Sequence, residues 1–123
     1  MAAKVLLVDD DLEIRQFLTT LLELEGFEPV PATRAQDALA LVQKQDIAAI
    51  LLDVAMPDLD GLELCRRLRA QGVRAPILVV SARPGPDLIH RAAEAGADDF
   101  VRKPFENAEL IDRIRSWIKK KPC

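Results

Sequence analysis

Five short apolar runs, each followed by a segment whose apolar residues recur at helical spacing, constrain this chain more than any other feature. Val5 to Val8, Ile47 to Leu52 and Ile77 to Val80 are unbroken apolar runs, the pattern of strands buried on both faces. Phe27 to Val30 and Asp99 to Arg102 supply two more candidates. Pro29 has no N–H to give to a ladder, so Phe27 to Val30 is predicted to lie at an edge. Between the runs, Ile14, Phe17, Leu18, Leu21 and Leu22 form an amphipathic stripe, as do Ala38, Leu39, Leu41 and Val42 within 35–45. Leu64, Cys65 and Leu68 mark a helix over 62–70, and a shorter one is expected over 88–95 with Pro86 suited to its first position. Leu110, Ile111, Ile114, Trp117 and Ile118 give the last, over 108–120. Gly26, Gly72 and Gly96 are the stops. Strand and helix alternating five times predict an α/β fold: a parallel sheet with helices on both faces and right-handed crossovers.

A chain of 123 residues suits one domain, placed at 1–121, with 122–123 a tail or a truncated linker. Aromatics make up only 4% of the residues, so aliphatic side chains must fill the core. The net charge of −3 argues against binding nucleic acid through bulk charge. No apolar run is long enough for a membrane span or a signal peptide. Cys65 falls on a helical core position, and no Cys/His spacing suggests zinc, so a reducing, cytoplasmic setting is expected. His90 reads as an ordinary exposed helix residue.

Four of the strands end in polar residues: Asp9 and Asp10 after the first, Asp53 after the third, Ser81 after the fourth and Lys103 after the fifth. In a parallel sheet those ends share one edge, where open sheets of this kind bind ligands. Each residue alone also has an ordinary reading. Asp10 or Asp11 can cap the first helix, Asp53 can be a solvated strand end, Ser81 a turn residue and Lys103 a surface lysine. Their joint placement favours a shared cleft. Carboxylates gathered there repel, by about 4 kcal/mol for a pair at ~4 Å and an effective dielectric of ~20, so they must protonate, separate or bind a cation. Oxygen ligands without His or Cys suit Mg²⁺. A lysine and a hydroxyl alongside complete a site for a phosphoryl group, with a carboxylate as nucleophile.

Leu6-Leu7-Val8-Asp9-Asp10-Asp11, Leu51-Leu52-Asp53-Val54-Ala55-Met56-Pro57, Asp60-Gly61, Val79-Val80-Ser81-Ala82-Arg83, Gly96-Ala97-Asp98-Asp99-Phe100 and Lys103-Pro104-Phe105 resemble the response-regulator receiver domains of two-component signalling. The resemblance runs through essentially the whole chain. It implies a doubly wound, flavodoxin-like, five-stranded sheet of order 2-1-3-4-5. Asp53 matches the phosphoacceptor, Asp10 the direct Mg²⁺ ligand, Asp9 the acid that acts through water, and the carbonyl of Ala55 a further ligand. Lys103 matches the lysine that contacts the phosphoryl oxygens, Ser81 the hydroxyl that moves to them, and Phe100 the aromatic switch residue. The implied donor is a histidine kinase or a histidine phosphotransfer protein. The implied role is that of a signalling switch, not an enzyme, which assists its own phosphorylation and dephosphorylation and changes the face made by the fourth helix, fifth strand and fifth helix. Ala55 and Arg83 occupy places where members of the family differ. Pro84 and Pro86 place the expected hinge before residue 84.

Asp98, Asp99, Glu109 and Arg113 also resemble a subclass that dimerises through that same face and usually carries a winged-helix DNA-binding domain. Asp99 with Arg113 and Asp98 with Lys120 would pair across the two-fold axis, giving a weak, phosphorylation-enhanced homodimer. Ile89 departs from the basic residue usual there. No direct contact of this domain with nucleic acid or membrane is implied. Three other readings compete. Asp9-x-Asp11 superficially fits a phosphatase of the haloacid-dehalogenase type, but that leaves Asp53 to Pro57 unexplained. An acidic turn after the first strand argues against a flavodoxin-like nucleotide binder. The main alternative is a receiver-fold interaction module that acts without phosphorylation.

Overall fold

The three apolar runs form the middle of one parallel sheet. In the computed structural model, which describes residues 2–9, 11–53, 61–81 and 86–121, the strands are β1 (Lys4–Val8), β2 (Glu28–Ala32), β3 (Ile47–Asp53), β4 (Ile77–Ser81) and β5 (Asp99–Arg102). The helices are α1 (Leu12–Leu24), α2 (Ala35–Lys44), α3 (Gly61–Ala70), α4 (Pro86–Ala95) and α5 (Asn107–Lys120). The strand order is β2-β1-β3-β4-β5, as the resemblance implied, and all pairs are parallel.

Alternation along the strands builds two cores. Leu6, Val8, Ile50, Leu52, Ile77 and Val79 face one side, with Leu64, Cys65 and Leu68 of α3 and Ala92 and Ala95 of α4. Val5, Leu7, Leu51, Leu78, Val80 and Val101 face the other, with Leu18, Leu21 and Leu22 of α1 and Leu110, Ile111 and Ile114 of α5. Each fully buried leucine contributes about 1.5–3 kcal/mol. β1 steps outward to β2, whereas later crossovers step the opposite way. A single handedness of crossover therefore puts α1 on the face opposite α2, α3 and α4, as found. Phe17 departs from the expected stripe: at 49% exposure it lies outside the face defined by Leu18, Leu21 and Leu22.

β2 is an edge strand, as Pro29 predicted. The Glu28 amide donates to the Ala3 carbonyl at 2.8 Å, and the Asp9 amide to the Ala32 carbonyl at 3.2 Å. Residues 28, 30 and 32 thus turn their backbone groups toward β1. Pro29 and Pro31 occupy the outward positions, so neither offers an N–H to the free edge.

At the amino-terminal edge of β4 and β5, Arg69 of α3 acts as a bracket. Its Nε donates to the Gly96 carbonyl (3.0 Å), Nη1 to the carbonyls of Val73 (2.9 Å) and Ala75 (2.8 Å), and Nη2 to Asp98 Oδ2 (2.7 Å). Asp98 also accepts from the Ile77 amide (3.0 Å) and from Lys121 Nζ (2.9 Å). One guanidinium thereby ties the exits of α3 and α4 to the starts of β4 and β5.

Gly96 sits against this bracket at φ +107°, and a Cβ there would lie 2.7 Å from Arg69 Cγ. The guanidinium is held at both ends, so the side chain cannot swing aside. Gly72, at φ +89°, has nothing within 4 Å of its would-be Cβ. Gly96→Ala is expected to cost about 2–3 kcal/mol, combining backbone strain with the clash, and Gly72→Ala only about 1 kcal/mol. Urea denaturation of both variants checks the difference.

Candidate functional site at the carboxyl edge of the sheet

The ladders bring the strand ends together. Val8 pairs with Leu52, Asp53 with Val80, and Ser81 with Arg102. Asp9, Asp53, Ser81 and Lys103 therefore stand at adjacent strand ends on one edge, flanking the reversal of strand order between β1 and β3. The Lys103 amide donates to the Ser81 carbonyl at 2.8 Å, which fixes the end of β5 beside that of β4.

Asp9 and Ser81, 2% and 4% exposed, are the buried polar residues among those described. Polar groups are tolerated under cover only when they are hydrogen-bonded, and no described buried side-chain N or O lacks a partner. Asp9 Oδ1 accepts from the Asp11 amide at 2.9 Å. Asp11 in turn caps α1, its Oδ1 accepting from the amides of Glu13 (3.0 Å) and Ile14 (3.3 Å). The cap is thus Asp11, and Asp9 orders the cap. Lys103 and Phe100 are half-buried.

Arg15, which the sequence did not single out, belongs to this assembly. From the first turn of α1 its Nη1 donates to the Asp9 carbonyl at 3.1 Å. It places a cation behind an acidic strand end and holds the backbone there. Its spacing, six residues after Asp9 and in the first turn of the following helix, is the only signal the sequence carries.

Asp10, Ala55 and the side chain of Asp53 lie outside the described residues, as do residues 82–85, with Arg83 and the segment expected to hold the hinge, and the tail 122–123. The expected metal-ligand set is therefore only partly described, and the described residues alone contain no group of three or more His, Cys, Asp or Glu that could hold an ion. The donor chemistry still fits a hard cation. Asp9 is a buried carboxylate at the edge, and no His or Cys is among the edge residues.

Two relations bear on the expected dimer pairs. Asp99 pairs with Arg113 at 2.9 Å within the chain. Asp98 pairs within the chain too, with Arg69 and with Lys121, while Lys120 stacks over the Trp117 ring 4.9 Å from its centroid.

Residues 5–115 match the response regulator receiver domain. The chain belongs to the response-regulator receiver family. It is 40% identical over 120 residues to the response regulator MprA of Mycolicibacterium vanbaalenii, an alignment spanning 98% of this chain and 52% of that protein. It thus spans about half the length of the curated relatives it matches. Among solved structures, the receiver domain of the Francisella response regulator 1452 superposes with a TM-score of 0.89 at 35% identity, covering 96% of this chain and 98% of that one. The chemotaxis protein CheY4 of Vibrio cholerae superposes at 0.90 with 32% identity, covering 95% and 99%. Receiver domains are the signalling switches of two-component systems, and the five-stranded 2-1-3-4-5 sheet is their architecture. No described helix is long and apolar enough to cross a membrane.

Cys65 lies away from this edge, buried under α3. Burial pushes its thiol above the usual range, with Arg69 offsetting part of the effect. A Cys123→Ser variant should show no reaction with a bulky disulfide reagent while folded and one reactive thiol in denaturant. Native reactivity at the denatured rate would contradict the burial.

Proposed function

We propose that this receiver accepts a phosphoryl group on Asp53 from a phosphohistidine of a histidine kinase or histidine phosphotransfer protein. The supporting observation is the carboxyl edge itself, where the register sets the β3 end beside buried Asp9 and buried Ser81, with Lys103 one strand further on. An Asp53 oxygen forms the new bond to phosphorus, the P–N bond of the donor breaks, and its electron pair returns to the imidazole. Lys103 balances charge on the phosphoryl oxygens and Ser81 donates its hydroxyl to them. Asp9, Asp10, Asp53 and the Ala55 carbonyl would hold Mg²⁺, which supplies neutralising charge where phosphoryl and carboxylate meet. Arg15 keeps the Asp9 backbone in place. The altered electrostatics draw in Ser81 and shift Phe100, so the α4–β5–α5 face changes. Water later removes the phosphoryl, and the domain returns to its resting form. A cytoplasmic setting is in keeping with this role.

Acetyl phosphate or phosphoramidate with Mg²⁺ should add a single phosphoryl group, read by intact-mass spectrometry. The addition should vanish in Asp53→Ala and without Mg²⁺, and fall at least about tenfold in Lys103→Ala. Equal modification of the Asp53 variant refutes the assignment. No modification of the wild type under any donor leaves the receiver-fold interaction module as the better reading.

The same reading carries weak self-association of the activated form through the α4–β5–α5 face. Asp98 and Asp99 already have partners within the chain, so pairing with a second copy must exchange those contacts for equivalent ones. Such exchange contributes little net energy, since partly exposed ion pairs are worth about 0–1 kcal/mol each. Sedimentation should show a monomer without beryllofluoride and a concentration-dependent dimer with it. A strictly monomeric activated form rules out this dimer.

A further inference from the structure

Phe100 is held from both sides of the sheet. It packs on the α4 side of the sheet, beside an open groove of about 220 Å³ that it lines together with Ile89, Ala92, Ala93 and Ala97. Its backbone is gripped from the α5 side. Asp99, one residue earlier, faces α5 by the alternation of the strand, and its carboxylate gathers three donors. Oδ1 accepts from the Phe100 amide (2.8 Å) and from Arg113 Nη1 (2.9 Å), and Oδ2 accepts from Trp117 Nε1 (3.0 Å). Arg113 Nη1 also donates to the Phe100 carbonyl at 3.2 Å. Its Nη2 pairs with Glu109 at 3.1 Å, one turn back on α5. Both backbone polar groups of Phe100 therefore belong to a network anchored on α5.

We propose that Arg113, Asp99 and Trp117 form a clamp on the Phe100 backbone that sets how readily its ring leaves its packed position beside α4. Allowed side-chain rotamers depend on backbone φ and ψ, so fixing the peptide groups on either side of Phe100 restricts where its ring can go. β5 is an edge strand with a ladder on one side only, and Arg113 and Trp117 of α5 add side-chain hydrogen bonds to it. The three residues are positioning residues: none reaches the carboxyl edge. The clamp stabilises the described form over the shifted one. Weakening it raises the population of the shifted form and with it the apparent affinity of any ligand that prefers that form.

The test has two arms, and only the second rests on the phosphoacceptor reading. In the first, the unmodified protein carries fluorophenylalanine, and the Phe100 ring signal and amide exchange are followed by NMR. Arg113→Met should add a second ring population and speed exchange at Phe100. Asp99→Asn should act in the same direction. Arg115→Met, also on α5 but in contact with Glu25 and Phe27 instead of β5, should leave Phe100 unchanged. Trp117, the single tryptophan, should change its emission in Asp99→Asn. In the second arm, the beryllofluoride concentration giving half-saturation should fall by about fivefold in Arg113→Met, the lower end of coupling between two states of one domain. A Phe100 ring unaltered by Arg113→Met, or a freed ring with an unchanged or higher beryllofluoride requirement, overturns the clamp. If the wild type takes no beryllofluoride, the phosphoacceptor reading fails and the first arm alone decides the clamp.

Discussion

Burial of β1, β3 and β4 on both faces is the constraint on which the rest of the molecule depends. A strand with helices above and below has no solvent-facing side on which to carry a polar side chain. An unsatisfied polar group in its middle would cost about 1–3 kcal/mol, comparable to the gain from burying a whole leucine. Polar chemistry is therefore expelled to the strand ends. Parallel pairing then collects those ends along two lines, one at each edge of the sheet. The grouping of Asp9, Asp53, Ser81 and Lys103 follows from that geometry before any ligand is considered.

The two lines are used differently. At the amino-terminal edge, Arg69 and Asp98 saturate each other and the surrounding carbonyls, with side chains only 21% and 15% exposed. Such a pair resists change, because removing one partner strands the other under cover. At the carboxyl edge, Asp9 is buried but spends an oxygen on the amide of the helix cap, and Arg15 supports its backbone instead of neutralising its carboxylate directly. One edge is closed by its own charges. The other gathers acids at the ends of β1 and β3 and a base at the end of β5 along one line, where a further charged group can alter their balance.

Legibility from the sequence followed the range of the interactions. The strands were readable because a doubly buried strand writes itself as an unbroken apolar run, and Pro29 was enough to place β2 at the rim. Periodicity located every helix yet put Phe17 on the buried stripe, since spacing does not fix how far round the helix the cover extends. The edge positions of Asp9, Ser81 and Lys103 were legible because each directly follows or ends a strand. Arg15 and Arg69 were not, because their partners are mostly backbone carbonyls, which have no sequence signature. The acids Asp98 and Asp99 were recognised but expected to reach toward a second molecule. Arg113 and Lys121 come close enough in the fold to meet them first, and Lys120, one residue from Lys121, is drawn onto the Trp117 ring.

The two prolines at the rim of β2 have an effect that extends beyond stability. A sheet grows by lending amide protons to a newcomer, and at 29 and 31 this sheet has none to lend. The side nearest β2 is consequently closed to templated stacking, however concentrated the molecules become. On that flank, contact between neighbours has to be made by side chains, whose fit discriminates between partners in a way that main-chain pairing cannot. That flank is thereby kept from joining other sheets indiscriminately.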